Sequence, residues 1–334
     1  MKKKVLILGT LPPPVGGITI HLKRFIEINK NDNDFELSLF DLRKRKVFRN
    51  GKQFGLLNFV RTFFGSKIVH IHISNNSKIF FAILSKIFGK KVIYTQHNSR
   101  INDGIKFRFF FLLCDKFILV NNKNTNLDSS KLNENKISVI PAFIEPTELE
   151  ELPESLLHNL EKFDFIISAN CFKNVQFDGK QLYGFDTLID TYFNLVSEDK
   201  ISNSLLVLVD PSNSMKDFFE NEKKKFKSKN NNEILFVGSY IDFSSLIKKS
   251  DVVVRPTRSD GDALTVREAL HFDIPIIASD CSIRPEGTIL FNTGDAKDLA
   301  KKIHQVYAGE LEVNNHKKED FNKNILENYR ILIK

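Results

Sequence analysis

The chain has 334 residues, 42% of them apolar, and carries 49 Lys and Arg against 41 Asp and Glu for a net charge of +8. That length suggests about two domains, and no apolar run approaches the ~18 residues that a membrane-spanning helix needs. Three scattered cysteines, Cys114, Cys171 and Cys281, suit a reducing cytoplasm and form no ligand pair.

The opening MKKKVLILGTLPPP has the outline of a signal peptide. Its apolar core is only Val5–Leu8, followed by Gly and three prolines, so a first β-strand is expected at Lys4–Leu8. A loop, Gly9–Gly17, and an amphipathic helix to about Ile28 follow. Strand-like runs recur at Phe35–Phe40, Ile68–Ile73, Lys91–Thr95, Phe117–Val120 and Ile137–Ile140, with helix-like runs at Lys78–Phe88 and Ile105–Leu113. Pro141–Pro153 is acidic, holds three prolines and reads as a domain linker. A second alternation begins with strand Phe163–Ser168 and helix Gly184–Val196. It continues through strand Leu205–Val209, helix Met215–Phe226 and strand Ile234–Val237, and closes with helices Asp295–Tyr307 and His316–Ile333. Alternating strands and helices predict an α/β protein with two doubly wound parallel sheets, over residues 1–145 and 146–315. Ligands of such sheets bind outside the carboxyl ends of the strands, so a cleft between two such ends is the expected site.

The stretch from Asp251 to Phe291 is the most informative. Asp251–Arg255 reads as a buried strand ended by Pro256. Thr257–Asp262 is a polar loop, Ala263–Phe272 has helical spacing, and Ile274–Ala278 is a second strand. Asp260 or Asp262 is placed to cap the helix. A strand, an acidic Gly loop and a helix leave unpaired backbone N–H groups where a phosphate can sit.

Asp260, then Glu268-Ala269-Leu270, Pro275-Ile276-Ile277-Ala278 and Pro285-Glu286 stand in this order and spacing. The ordered set resembles the C-terminal signature of retaining glycosyltransferases of family 4, which have the GT-B fold. Asp260 stands where that family usually has Glu. The resemblance implies that the C-terminal domain binds a nucleoside diphosphate sugar, that the N-terminal one takes the acceptor, and that the last helix, 316–334, packs back toward the N-terminal domain. It also implies that Glu268 binds the ribose hydroxyls, that Asp260 lies near the donor sugar, and that Gly261, Asp262, Ala263 and Leu264 face the diphosphate or sugar. Gly16 and Gly17 match the family's Gly-rich loop after the first strand, and His97 a histidine facing the donor sugar.

The family usually offers an Arg after the first C-terminal strand and a Lys before the Gly that opens the next helix. Here Asn170 and Tyr183 stand at those places. Lys173, Lys180, Arg255 and Arg258 are the nearest substitutes, or ordinary surface cations. Asp260-Gly261-Asp262 spells a metal motif of another glycosyltransferase architecture, and GT-B enzymes generally need no metal, so no cofactor is expected. His70 and His72 share a strand face, and a buried, hydrogen-bonded role is expected for them ahead of a metal pair.

Residues 1–150 hold 25 Lys and Arg against 12 Asp and Glu, whereas the remainder is net negative. The basic run Arg43, Lys44, Arg45, Lys46, Arg49 and Lys52 precedes Phe54–Phe64 and Lys78–Lys91, which mix Phe, Leu and Ile with Lys. This points to peripheral docking on anionic lipid from the cytoplasmic side. Nucleic acid is disfavoured because no recognition motif accompanies the charge. The resulting expectation is a glycosyltransferase acting on a glycan or polyprenyl-linked acceptor in capsule, O-antigen or lipopolysaccharide synthesis. The rivals are another GT-B enzyme, such as a sugar-nucleotide epimerase, and a non-catalytic membrane or nucleic-acid binding protein.

Overall fold

The apolar runs assemble into two separate parallel sheets in a computed structural model of the chain. It describes residues 2–97, 104–121, 133–226, 228–311 and 318–333. One unit comprises Met1–Thr147 with Glu319–Lys334, the other Glu148–Lys318.

The N-terminal unit runs β1 (Lys3–Gly9), α1 (Gly17–Ile28), β2 (Phe35–Asp41), β3 (Lys46–Arg49), β4 (Lys52–Phe54), α2 (Leu57–Gly65), β5 (Ile68–Ile71), α3 (Ser77–Ile87), β6 (Lys91–Gln96), α4 (Ile105–Leu113), β7 (Lys116–Leu119) and β8 (Ile137–Val139). Its sheet has the order β4-β3-β2-β1-β5-β6-β7-β8. β1 lies between β2 and β5, parallel to both, and Val5–Leu8 are fully buried. That burial on both faces is why a short unbroken apolar run makes the central strand. β3 and β4 add an antiparallel edge hairpin. It turns on Asn50-Gly51, both at positive φ, the pair that a tight hairpin turn favours. The basic run Arg43 to Lys52 thus includes β3 and the start of β4.

The C-terminal unit runs α5 (Glu154–Leu160), β9 (Phe165–Asn170), β10 (Gln176–Phe177), β11 (Lys180–Gln181), α6 (Phe185–Ser197), β12 (Ser204–Val209), α7 (Lys216–Lys225), β13 (Glu233–Val237), α8 (Phe243–Ile247), β14 (Val252–Arg255), α9 (Leu264–His271), β15 (Ile276–Ser279), β16 (Ile289–Phe291) and α10 (Ala296–Tyr307). The all-parallel order β13-β12-β9-β14-β15-β16 reverses direction between β9 and β14, as the order of the N-terminal sheet does between β1 and β5. In open α/β sheets a crevice opens at that switch point. The fold is that of GT-B proteins.

The last helix, α11 (Phe321–Leu332), belongs to the N-terminal unit. Its Tyr329 is fully buried against Phe25 and Phe35 and contacts His70 Nδ1 through its hydroxyl at 2.7 Å.

Candidate functional site

At the C-terminal switch point β9 ends in Asn170 and β14 in Arg255. Arg255 donates from Nε and Nη2 to the two Asp260 carboxylate oxygens, at 3.1 and 3.4 Å. Arg284 donates to the same carboxylate at 3.0 Å. Thr257 donates its hydroxyl to it at 3.2 Å, and the Gly261 N–H bonds it at 3.0 Å. Arg284 is only 2% exposed at its side chain and is pinned by Ser279 O at 3.0 Å. Arg255 also reaches Asn170 O at 3.3 Å, lies 5.3 Å from the Tyr183 ring centroid, and shares Asn170 with the Thr265 hydroxyl. Burial pushes the Asp260 pKa up, but Arg255 and Arg284 outweigh it and hold the carboxyl below its usual value. One carboxylate between two guanidiniums leaves a surplus of one positive charge.

The neighbouring ion pairs leave no such surplus. Arg258 forms a fork on Asp186 with two bonds of 2.9 Å, reaches the Thr187 hydroxyl at 2.9 Å and donates to Gln181 O. It fastens the loop after β14 to the start of α6. Arg267 donates to Asp262 at 2.6 Å. The two carboxylates of the Asp-Gly-Asp triplet are thus each engaged by arginine. Neither caps α9, whose N-cap is Ala263 without a side-chain bond. The capping expectation is corrected: the N-cap position falls on Ala263, and both carboxylates are engaged by arginine side chains. Leu264 opens α9, and Glu268 is buried one turn further on. Lys180 lies exposed on the β10–β11 hairpin, and Lys173 is exposed before it.

Gly184 fixes this layout. It has φ +68°, and a Cβ there would meet Pro256 O at 2.0 Å. Only glycine lets α6 begin so close to the end of β14.

In the N-terminal unit the loop after β1 closes on itself. The Gly16 N–H donates to Thr19 Oγ1 at 3.0 Å, and that hydroxyl donates to Pro14 O at 2.8 Å. Gly16 is extended at φ −165°, and Gly17 is the first residue of α1, so neither is there for a left-handed turn. His97 follows β6 and stands beside His72, whose Nδ1 lies 2.9 Å from its Nε2. His21 of α1 completes a group of three imidazoles. His70, by contrast, is fully satisfied, with Tyr329 on Nδ1 and the Thr95 hydroxyl at 2.8 Å from Nε2.

Arg284 and His21 escaped the sequence reading. Arg284 directly precedes the Pro285-Glu286 pair, but nothing local shows that its side chain turns inward. His21 lies on a helix face with buried Leu22, Arg24 and Phe25, where nothing local sets it apart from a core residue.

Residues 177–309 match the family model described as Glycosyl transferases group 1, from β10 to just past α10. Over 92% of its length the chain is 22% identical to an uncharacterized glycosyltransferase of Methanocaldococcus jannaschii, covering 89% of that protein. Among solved structures it is similar to sucrose-phosphate synthase from Thermosynechococcus elongatus (TM-score 0.70, 14% identity, 99% of both chains). It is also similar to Anabaena HepE in complex with UDP (TM-score 0.64, 15% identity, 93% of this chain and 91% of that one).

Proposed function

We propose that the protein is a glycosyltransferase that moves a sugar from a nucleoside diphosphate sugar to an acceptor hydroxyl, with retention of configuration. The observation that carries this reading is the surplus positive charge of Arg255 and Arg284 around Asp260. It lies at a strand-end crevice within the segment matched by the glycosyltransferase model. As the glycosidic bond breaks, charge accumulates on the leaving diphosphate. Guanidiniums already fixed by a shared carboxylate stabilise it without reorganising at that moment. Asp260 is then a positioning residue for the two arginines. Glu268 holds the ribose, since a carboxylate accepts both hydroxyl bonds. Gly261, Asp262, Ala263 and Leu264 line the approach to α9. In this reading protein cations meet the diphosphate and no metal is assigned to it. A uridine diphosphate sugar is the first donor to test, because HepE was solved with UDP.

The acceptor we propose is a lipid-linked glycan of bacterial surface polysaccharide, reached from an anionic membrane surface. Between Asp41 and Asp103 the chain has thirteen Lys and Arg and no Asp or Glu. The helices of this region, and α4 just beyond it, turn apolar side chains to solvent: Leu57 and Val60 on α2, Phe80 and Ile87 on α3, Ile105 and Leu112 on α4, each more than half exposed. Cations beside an apolar surface fit an acidic lipid interface. Among the described residues no helix is long and apolar enough to cross a membrane.

A thermal-shift screen against UDP, GDP, dTDP and CMP sugars tests the donor site, because a ligand that binds only the folded state raises its melting point. A rise with one class, weakened by roughly 1.5–3 kcal/mol of binding energy in Glu268→Ala, is expected. No rise with any of them counts against the reading. Conversion of the sugar nucleotide without an acceptor would favour an epimerase.

A further inference from the structure

His21, His72 and His97 come from three elements, α1 and the segments after β5 and β6. One ring nitrogen from each lies within 4.8 Å of the others. The His21 tautomer is fixed. Its Nδ1 lies 2.6 Å from the Ala142 carbonyl, which can only accept, so Nδ1 carries the proton and Nε2 presents a bare lone pair. Among the described residues that Nε2 is buried without a hydrogen-bond partner, and so is Nε2 of His72. The two residues are 1% and 5% exposed. A buried polar atom left unpaired is costly, and two such atoms in one cluster point to a ligand. Between His72 Nδ1 and His97 Nε2 a single proton is shared over 2.9 Å.

The chemistry of the donors selects the ligand. All three are imidazoles, and the Ala142 carbonyl commits the one proton of the neutral His21 ring to Nδ1. Neutral imidazole nitrogens suit zinc-class cations, whereas magnesium and calcium take oxygen ligands. A metal-ligating histidine typically donates its other N–H to a backbone carbonyl, as His21 does to Ala142. His70, its ring centroid 4.1 Å from that of His72 and tilted 47° to it, has both nitrogens occupied and stands outside the ligand set. Arg24 acts on His21 as a neighbouring cation and is drawn away toward Ile144 O at 3.3 Å. We propose that His21, His72 and His97 form a three-imidazole site for a transition-metal dication of the zinc class, with a coordination position left for an exogenous ligand. Three protein ligands and one open position is the pattern of reactive zinc sites; structural ones are closed by four. The proposal rests on these three rings alone and uses none of the residues proposed for the diphosphate or the ribose.

The test uses the untagged full chain, stripped with a chelator and titrated with cobalt(II) chloride, then with zinc chloride. One cobalt per chain is expected, with the visible d–d bands of a four- or five-coordinate nitrogen site that zinc displaces. His97→Gln alters the most exposed of the three rings and is the variant best placed to fold. It should bind cobalt at least about tenfold more weakly, since even outer-shell partners of a metal are worth that much. His21→Gln should do the same, with circular dichroism confirming its fold. The stripped wild-type chain failing to bind either metal saturably, or binding that survives unchanged in both folded variants, would overturn the proposal.

Discussion

At the switch point of the C-terminal sheet, three charged side chains bury one another; in the N-terminal unit, three imidazoles gather at the strand ends without charge. Asp260 satisfies Arg255 and Arg284 with short bonds. In the histidine group two buried ring nitrogens have no hydrogen-bond partner among the described residues. Buried charges persist only when paired, so the first cluster is complete as it stands apart from its surplus of positive charge. Neutral rings persist unpaired at a cost, and the second cluster retains capacity for a ligand. The two clusters accordingly respond to acid in different windows.

The largest effect expected is the acid response of the N-terminal unit in the metal-free chain. Burial holds the His21 pKa at about 4 and that of His70 at about 3, against an ordinary value of 6.5. Below pH 6.5 the unfolded chain takes up protons that the folded chain refuses. Stability is therefore full above pH 6.5 and is lost as pH falls toward those folded values. At 1.36 kcal/mol per unit, these two groups alone remove about 6 kcal/mol between pH 7 and pH 4. Denaturant unfolding across that range measures it, and a flat profile from pH 7 to pH 5 would refute it. Asp260 has a folded pKa below its unfolded value, so its contribution is full above about pH 4 and is lost only as pH falls below that.

Next in size is Asp260→Ala. It leaves Arg255 and Arg284 facing each other in a buried site, and removing one partner of a buried ion pair costs about 3–5 kcal/mol. A loss below about 1 kcal/mol would mean that the arginines swing to solvent and that the cluster is not rigid. Gly184→Ala follows. A left-handed backbone costs a residue with a Cβ about 1–2 kcal/mol, and the contact with Pro256 O adds to it. The variant should be less stable and, because α6 must shift from the end of β14, bind the sugar nucleotide more weakly. Unchanged affinity would separate the α6 start from the site.

How much of this was legible in the sequence depended on whether the signal was local. β1 and β14 are short β-branched or aliphatic runs buried on both faces, and they stood out. The β3–β4 and β10–β11 hairpins did not, although Asn50-Gly51 and Asp178-Gly179 mark their turns with positive φ at all four residues. The surrounding lysines and arginines masked an alternation only two to four residues long. Glu268 was marked by its place in an ordered motif. Arg284 becomes a partner of Asp260 through 24 residues of chain, and His21 meets His72 and His97 through the topology of a sheet. Such meetings are set by tertiary packing, and no period in the sequence encodes them.

The smallest effect on stability, and the sharpest contrast between the units, belongs to the apolar surface of α2 and α4. Leu57 is 87% exposed and Ile105 88%, so replacing both with Glu should change unfolding stability by no more than about 0.5 kcal/mol per site. The same pair of changes puts one negative charge into a stretch that has thirteen cations and no acids, and a second just beyond it. Binding to vesicles rich in anionic lipid should fall, and the residual binding should weaken further as salt screens the remaining charge. Wild-type binding that is insensitive to both salt and these substitutions would remove the membrane from the N-terminal unit and leave its charge to be explained by the acceptor itself.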